Sequence, residues 1–505
     1  MNNGFEKVST RAVMQEYWKN FSPSNESMML DPNAEILGPE EQLEILSYLP
    51  DLKEMEVLEL GAGIGRFTGD LAKRSKNVTA VDFIDDYIKE NKKKHSSLQN
   101  IKFMRADVTE LEFSAKKFDM VFSNWLFMYL NDKECVSLVQ KVIKWLKPDG
   151  YLFIRESCYK SSGGIKRSTN PTFYRSPATY NALLQSIRLI PQIYSPLQES
   201  QSWELRVLNV RSLRTYIKYK QNPWQVCFLS VKMSGEQLSS ATTHDNFQHF
   251  LDQQQYSRRG VRRYEWIYGE TYLSTGGLET TKEFVQLLRL KPGNKVLDVG
   301  SGLGGHDFYM AKNFGVTIHG VDLSVNMMSL ALEHLAKRPE LESKIHFEIC
   351  DITQAEFEPN TFDAIYSRDT LLHIENKYEL FQKFLKWLKP GGRILFSDYS
   401  RGNKEHTEEF KEYIKQRGYH LLTLEEYEKL LNDVGFINVN CKDGTEEFLQ
   451  ALKNELKKLH SEKENFLLEF TEEDFKYLND GWNAKILRAQ NKDQTWVLCY
   501  GEKAK

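Results

Sequence analysis

The chain carries one long series of motifs twice, in the same order and at nearly constant spacing. Val57-Leu58-Glu59-Leu60-Gly61-Ala62-Gly63-Ile64-Gly65 returns 239 residues later as Val296-Leu297-Asp298-Val299-Gly300-Ser301-Gly302-Leu303-Gly304. Val81-Asp82 returns as Val321-Asp322, Asp107 as Asp351, Phe118-Asp119 as Phe362-Asp363, and Trp145-Leu146-Lys147-Pro148 as Trp387-Leu388-Lys389-Pro390. Solenoid repeats run to about 20–50 residues, so a period of this length implies a duplicated domain instead. The expected layout is a first domain over 1–233, a linker over 234–248 and a second domain over 249–505. The linker assignment rests on Ser234-Gly235-Glu236-Gln237-Leu238-Ser239-Ser240-Ala241-Thr242-Thr243-His244-Asp245, which is small, polar and without apolar periodicity.

Within each copy, short apolar runs alternate with helical patterns, in the first copy over 55–60, 66–74, 77–82, 84–94 and 101–104. This alternation predicts parallel strands joined by crossover helices, so the expected fold is α/β, two tandem doubly wound, Rossmann-like domains. Lys-Pro followed by Asp149-Gly150 or Gly391-Gly392 predicts a turn into the next strand. The stretches 206–218 with 224–232, and 423–440 with 496–499, complete the two units. At 41% hydrophobic and 12% aromatic residues the chain can fill two cores. A net charge of −3 without long like-charge runs gives no footprint for nucleic acid. Six scattered cysteines without a C-x-x-C pair argue against both a zinc site and a disulfide framework, so no metal is expected. No apolar core opens the chain and no eighteen-residue apolar run could span a bilayer, which predicts a cytoplasmic protein without stable membrane insertion, taken here as a monomer.

In open α/β sheets, ligands bind at the carboxyl ends of the strands, near the topological switch point. There each copy places an acid, a spacer and a glycine-rich turn: Glu59 with Gly61 and Gly63, and Asp298 with Gly300 and Gly302. The glycines let the backbone approach a cofactor where a Cβ would clash. A second acid, Asp82 or Asp322, closes the following strand, where a carboxylate can grip ribose hydroxyls. A third, Asp107 or Asp351, stands where an adenine amino group needs an acceptor. A dinucleotide site would show G-x-G-x-x-G instead. Glycine spacing, third acid and the Phe-Asp…Lys-Pro-x-Gly order together resemble the class I S-adenosylmethionine-dependent methyltransferases, which makes S-adenosyl-L-methionine the expected cofactor. Asn170-Pro171-Thr172-Phe173 is similar to the N-P-P-Y/F motif of nucleic-acid amino-methyltransferases, but it follows the fifth strand rather than the fourth and is set aside.

More specific stretches follow. In the second half they include Gln254-Gln255-Tyr256, Tyr264-Glu265, Tyr268-Gly269-Glu270, Ser274-Thr275-Gly276-Gly277-Leu278-Glu279-Thr280-Thr281, Ser367-Arg368-Asp369-Thr370-Leu371-Leu372-His373, Ser397-Asp398-Tyr399 and Tyr413-Ile414-Lys415-Gln416-Arg417-Gly418-Tyr419. The first half adds Tyr17-Trp18, Met28-Met29-Leu30-Asp31, Phe122-Ser123-Asn124-Trp125 and Arg155-Glu156-Ser157-Cys158. Together they resemble the phosphoethanolamine N-methyltransferases, in the two-domain arrangement of the plant enzymes. The resemblance implies stepwise methylation of phosphoethanolamine, through its mono- and dimethyl forms, to phosphocholine, with the first methyl added by the first domain and the later ones by the second. It pairs Tyr256 with His373 as a catalytic latch, adds Asp369 to the catalytic set, and adds Ile352 and Arg368 to the cofactor residues. It maps the phosphate ligands onto Tyr399, Tyr413, Arg417, Tyr419 and Lys485. An ammonium has no lone pair, so a base must take its proton, and the expectation is that His373 titrates in the useful range.

The halves differ at these positions. Tyr129 stands opposite His373, Asn124 opposite Arg368, Trp125 opposite Asp369 and Ser157 opposite Tyr399. The first domain therefore keeps the cofactor motif without the histidine base. Its substrate candidates are Tyr17, Tyr129, Tyr174, Arg175, Tyr180 and Lys218. His306 stands where relatives carry glycine, and a local adjustment of the loop is expected. The competing reading is a methyltransferase of another small amine, such as glycine or sarcosine; a half that only binds ligand is disfavoured by the intact cofactor motif in both copies.

Overall fold

The computed structural model describes residues 10–163, 171–189, 202–235, 237, 251 and 256–505. Most of the expected linker, and Asn170 of the set-aside motif, lie outside the described residues. The chain divides into two compact units, Met1–His249 and Phe250–Lys505.

The first unit holds β1 (Glu56–Leu60), β2 (Asn77–Asp82), β3 (Ile101–Arg105), β4 (Phe118–Asn124), β5 (Leu146–Ser157), β6 (Arg188–Leu189), β7 (Trp203–Ser212) and β8 (Gln225–Ser234), in the sheet order β3-β2-β1-β4-β5-β8-β7-β6. The second holds β9 (Lys295–Val299), β10 (Thr317–Asp322), β11 (Ile345–Ile349), β12 (Phe362–Arg368), β13 (Leu388–Arg401), β14 (Ile437–Asp443) and β15 (Gln494–Glu502), in the order β11-β10-β9-β12-β13-β15-β14. The first five strands of each sheet are parallel, as the alternation predicts. The remaining strands run antiparallel, so each sheet is mixed rather than parallel throughout. Helices cover both faces of the parallel part, and its central strands are accordingly apolar on both faces: Val57, Leu58, Leu60, Val296, Leu297 and Val299 are all fully buried.

The boundaries shift where a turn needs its own residues. The helix expected from 66 starts at Thr68, because Gly65 is still in the turn at φ +81°. The stretch 206–218 resolves into β7 and the helix Arg214–Lys220. The stretch 423–440 resolves into the helix Leu424–Val434 and β14, separated by a left-handed Gly435 at φ +107°. Between β14 and β15 the second unit inserts the helices Thr445–Ser461, Lys463–Leu467 and Glu472–Gln490.

The repeated Phe-Asp and Lys-Pro motifs have a shared structural task. Asp119 accepts the backbone N–H of Glu56 at 2.8 Å and the Lys147 ammonium at 2.8 and 2.9 Å. Asp363 does the same for Lys295 N at 2.8 Å and Lys389 Nζ at 2.7 Å. One carboxylate thus ties the starts of three adjacent parallel strands and fixes their stagger. Phe118 and Phe362, one residue earlier, point into the core instead. Both ion pairs are partly exposed, so Asp363→Ala should cost only roughly 1 kcal/mol, mostly from the unsatisfied strand N–H. Thermal unfolding should show a small loss at unchanged KM. A loss above about 3 kcal/mol would mean that the tie organises the whole sheet.

Candidate active sites

The strand-end acids buttress the glycine turns. Asp82 accepts Gly63 N on Oδ2 and Ile84 N on Oδ1, both at 2.9 Å. Asp322 accepts Gly302 N at 3.0 Å and Ser324 N at 2.8 Å in the same way. The turn glycines lie at φ +68° and +52° (Gly61, Gly63) and +76° and +55° (Gly300, Gly302), where side chains are strained. A Cβ on Gly300 would also fall 2.1 Å from Thr370 Oγ1. Asp107 and Asp351 each use one oxygen to hold the following threonine, Thr109 or Thr353, through its N–H at 2.9 Å and its hydroxyl at 2.7 Å. In the first unit Glu59, Gly61, Gly63, Asp82 and Asp107 line one cavity together with Tyr129 and Tyr174.

Burial dominates the electrostatics of these acids. It raises Glu59 to about 8, despite the hydroxyl of Thr68 donating to it at 2.6 Å. It raises Asp82 and Asp322 to about 6 against the N–H donors listed above. Asp298 faces Asp307 with both side chains fully buried; burial raises both, and Asp298 raises Asp307 further, so one of the two holds a proton. An acidic, glycine-walled cradle fits a ligand that is itself cationic and carries a ribose and an adenine.

In the second unit, the substrate candidates converge beside that cradle. His373 lies in the short helical turn Leu371–His373 after β12, edge-on to Tyr419 at 5.2 Å between ring centroids. Tyr419 follows the helix Glu408–Arg417, which carries Tyr413 and Arg417 one turn apart, and Tyr413 meets Tyr419 at 5.9 Å. Lys485, from the inserted helix Glu472–Gln490, donates to the hydroxyls of Tyr399 at 3.3 Å and Tyr268 at 3.4 Å. Burial, then Arg488 and Arg417, lowers its ammonium below the usual lysine range. Tyr256 packs partly buried against the cluster of Val261, Leu303, Met327 and Leu330, and Asn326 Nδ2 holds its carbonyl at 3.0 Å. Asp369 accepts Ser397 Oγ at 2.8 Å and the Trp496 indole N–H at 2.7 Å, both on Oδ1. Tyr268, Tyr264 and Arg488, which stacks on Tyr413 at 3.9 Å, join this cluster although motif reading gave them no role.

Several expectations need correction. His373 does not titrate near neutrality: burial, reinforced by Lys377, His420 and Arg417, lowers it to about 3, so its imidazole is neutral at physiological pH. The Arg368 guanidinium serves as a structural tie. It donates to Ser397 Oγ, Tyr366 OH, Thr275 O and Thr280 Oγ1 at 2.8–3.3 Å and lies over Phe284 and Trp496. The Ile352 side chain belongs to the hydrophobic core. In the first unit, Arg175 spends its donors on Asp132 and on the carbonyls of Phe127, Leu130 and Phe173. Tyr180 is fully buried against Phe228. Lys218 is exposed and pairs with Glu40 at 2.7 Å. None of the three lines the cavity, and Tyr17 is replaced there by its neighbour Trp18. Arg66, whose guanidinium pairs with buried Glu41, and Trp125 line it instead. His306 is buried and neutral, bound to Ser274 at 2.9 Å and Thr281 at 2.8 Å.

A family profile described as a methyltransferase domain matches residues 57–150, and another of the same description matches 290–462. A wheat protein named phosphoethanolamine N-methyltransferase 1 is 47% identical over 99% of this chain and 98% of its own. Phosphoethanolamine N-methyltransferase 3 of Arabidopsis thaliana is 46% identical, covering 97% of each. This chain belongs to the phosphoethanolamine N-methyltransferase family. A solved structure of phosphoethanolamine N-methyltransferase 2 from Haemonchus contortus, in complex with phosphomonomethylethanolamine and S-adenosylhomocysteine, superposes with a TM-score of 0.66 at 25% identity over 93% of this chain and 99% of its own. S-adenosylmethionine is therefore the cofactor of this chain. Among the described residues, no cluster of His, Cys, Asp and Glu could hold a metal, and no helix is long and apolar enough to cross a membrane.

The upshifted acids predict a pH dependence. A carboxyl whose folded pKa is raised contributes stability that is complete below its unfolded pKa and is lost as pH rises through the folded one. Glu59 at about 8 and Glu156 at about 7 place this loss between about pH 4.5 and 8. Thermal midpoints of substrate-free protein should fall as pH rises from 6.5 to 8.5. Glu59→Gln should flatten part of that slope, and an unchanged slope would show that Glu59 is not the group responsible.

Proposed function

We infer that this chain is an S-adenosylmethionine-dependent N-methyltransferase that converts phosphoethanolamine stepwise to phosphocholine, the first domain adding the first methyl group and the second adding the rest. The observation that carries the reading is the second unit's cluster of Arg417, Lys485 and the tyrosines 268, 399, 413 and 419, set beside Asp369 and His373 at the mouth of the cofactor cradle. Cations and hydroxyls so grouped recognise a phosphate, while the carboxylate and imidazole face an amine. We take the enzyme to act in the cytosol as a monomer; all six cysteines are free thiols, which suits a reducing compartment.

When bound, S-adenosylmethionine supplies the electrophilic methyl group. The residues of this chain do the rest. Arg417 and Lys485 hold the phosphate and so place the amine near Asp369. Asp369 keeps one oxygen, Oδ2, buried and without a partner among the described residues, suited to an ammonium N–H. Neutral His373 accepts the proton that frees the nitrogen lone pair. Its low pKa makes it a weak base in isolation, and the phosphate dianion brought in by the substrate offsets the Lys377 and Arg417 charges that depress it.

His373→Ala should lower second-domain turnover by ~10²–10⁴-fold, the usual contribution of a general base, with little effect on cofactor affinity. Arg417→Ala should mainly raise KM for the phosphorylated amine. If His373→Ala lost less than about threefold, the imidazole would not be the base.

The division of labour is tested by silencing one cradle at a time. Asp82→Ala removes a carboxylate that braces the first glycine turn, and Asp322→Ala does so in the second. With labelled cofactor, Asp82→Ala should fail on phosphoethanolamine but still convert its monomethyl form to phosphocholine. Asp322→Ala should accumulate the monomethyl product. Phosphocholine formed by Asp322→Ala at the parent rate would sink the assignment, and labelling of sarcosine instead of either amine would sink the substrate class.

A further inference from the structure

Beside each cofactor turn the pocket floor is built from equivalent positions with donor and acceptor exchanged. At the end of β4, Trp125 donates its indole N–H to Gln225 Oε1 on β8 at 2.9 Å. At the end of β12, Asp369 Oδ1 instead accepts the indole N–H of Trp496 on β15 at 2.7 Å. Strand register makes the two pairs equivalent, because Gln225 lies opposite Ser157 and Trp496 opposite Tyr399. A serine hydroxyl completes each pair: Ser157 donates to Gln225 at 3.1 Å, and Ser397 to Asp369 at 2.8 Å.

Trp125 and Asp369 share an uncommon backbone, at φ +56° and +51°, which costs a bulky residue more than a small one. Each is locked there by its own N–H, given to Arg155 O at 2.8 Å or Ser397 O at 2.9 Å. Trp125 cannot swing away, because the Arg155 guanidinium lies 3.6 Å from its ring centroid. It lines the cavity that also holds Glu59, Gly61 and Asp82. In the second unit the indole has moved back onto β15, where Trp496 is fully buried, and a short carboxylate stands at the front.

We propose that this exchange sets how far each domain can methylate. Trp125, pinned by Gln225 and Arg155, leaves the first pocket room for a primary amine and closes it to a nitrogen that already carries methyl groups. Asp369 leaves that room open and offers its unpartnered oxygen to the N–H remaining on a mono- or dimethylated ammonium. The inference rests on the division of labour above, and explains it by one strand-end residue and its partner.

The test uses the full chain with Asp322→Ala, so that products come from the first domain. That control must stop at the monomethyl product; if it makes phosphocholine, the division of labour fails, which is a separate result from failure of the gate. Into it go Trp125→Leu, Trp125→Phe and the double change Trp125→Asp with Gln225→Trp. Trp125→Leu and the double variant should form di- and trimethylated product, with kcat/KM for the monomethyl amine raised at least about tenfold relative to that for phosphoethanolamine. Trp125→Phe, which keeps a ring but loses the tether to Gln225, should fall between. Calorimetric binding of S-adenosylhomocysteine reports an intact cradle in each variant. Variants that bind it normally and turn over phosphoethanolamine, yet still stop at one methyl, would overturn the proposal. Loss of phosphoethanolamine turnover in Trp125→Leu and Trp125→Phe alike, with binding intact, would also overturn it by making Trp125 a substrate-holding group.

Discussion

Both halves of the molecule depend on one carboxylate at the end of the second strand. Asp82 and Asp322 each bind a glycine N–H on one oxygen and the N–H two residues ahead on the other. Those bonds hold the glycine turn in its left-handed shape and start the next helix. They also set an electrostatic problem. Buried Glu59 stands beside Asp82, and buried Asp298 with its partner Asp307 stands beside half-buried Asp322. Like charges in a dry site raise one another's pKa values and weaken the empty cradle. A sulfonium ligand with its own ammonium group relieves that repulsion.

Duplication has preserved the cradle and redistributed what surrounds it. In the first unit a fully buried Arg155 rises from β5, bonds to Asn124 and pairs with Glu41. In the second the guanidinium comes from β12 instead, as Arg368, and meets Thr280 and Ser397. Each arginine fills the space behind the substrate floor and lies against aromatic rings. A buried cation requires acceptors. The first unit meets that need with a carboxylate and the second with hydroxyls and a carbonyl, so the two floors differ in charge while the sheet beneath them does not.

The sequence displayed the parts of the fold that obey local rules. The glycine turns and the strand-end acids were readable because each needs a fixed residue type at a fixed distance from a strand, and the repeated Phe-Asp pairs were visible as a motif though not as ties. The antiparallel strands that finish each sheet, three in the first and two in the second, were not, because apolar runs carry no direction. The second-unit motifs were legible down to Tyr413 and Arg417, which the helix Glu408–Arg417 does carry one turn apart. Of the first-unit candidates, Tyr129 and Tyr174 line the cavity, and the others miss it for a definite reason. Tyr180, Arg175 and Lys218 were chosen by side-chain chemistry, and chemistry alone does not separate a donor facing a cavity from one whose bonds are already spent, as those of Arg175 are. Trp125 was hidden because an indole reads as core, and its exposure to the pocket follows from a left-handed backbone that no sequence pattern announces. The depressed pKa of His373 was equally invisible, since Lys377 and His420 reach it only through the fold.

That depressed pKa bears on how the enzyme tells its substrate from simpler amines. Ethanolamine would bring a cation into a pocket that already holds Arg417, Lys485 and, behind the imidazole, Lys377, whose ammonium is fixed on the carbonyls of Ile374 and His420. His373 would stay a poor base there, because protonation would add a further positive charge to an uncompensated set. Phosphoethanolamine brings two negative charges with its one positive charge. In the proposed site the phosphate, held between Arg417 and Lys485, would offset the positive charge of Arg417 and Lys377 near the imidazole, while burial, the largest cause of its low pKa, would remain. Affinity depends on that contact first and proton transfer only in part, so weakening the phosphate site should cost mainly binding, and a substrate lacking the phosphate is disfavoured at both steps.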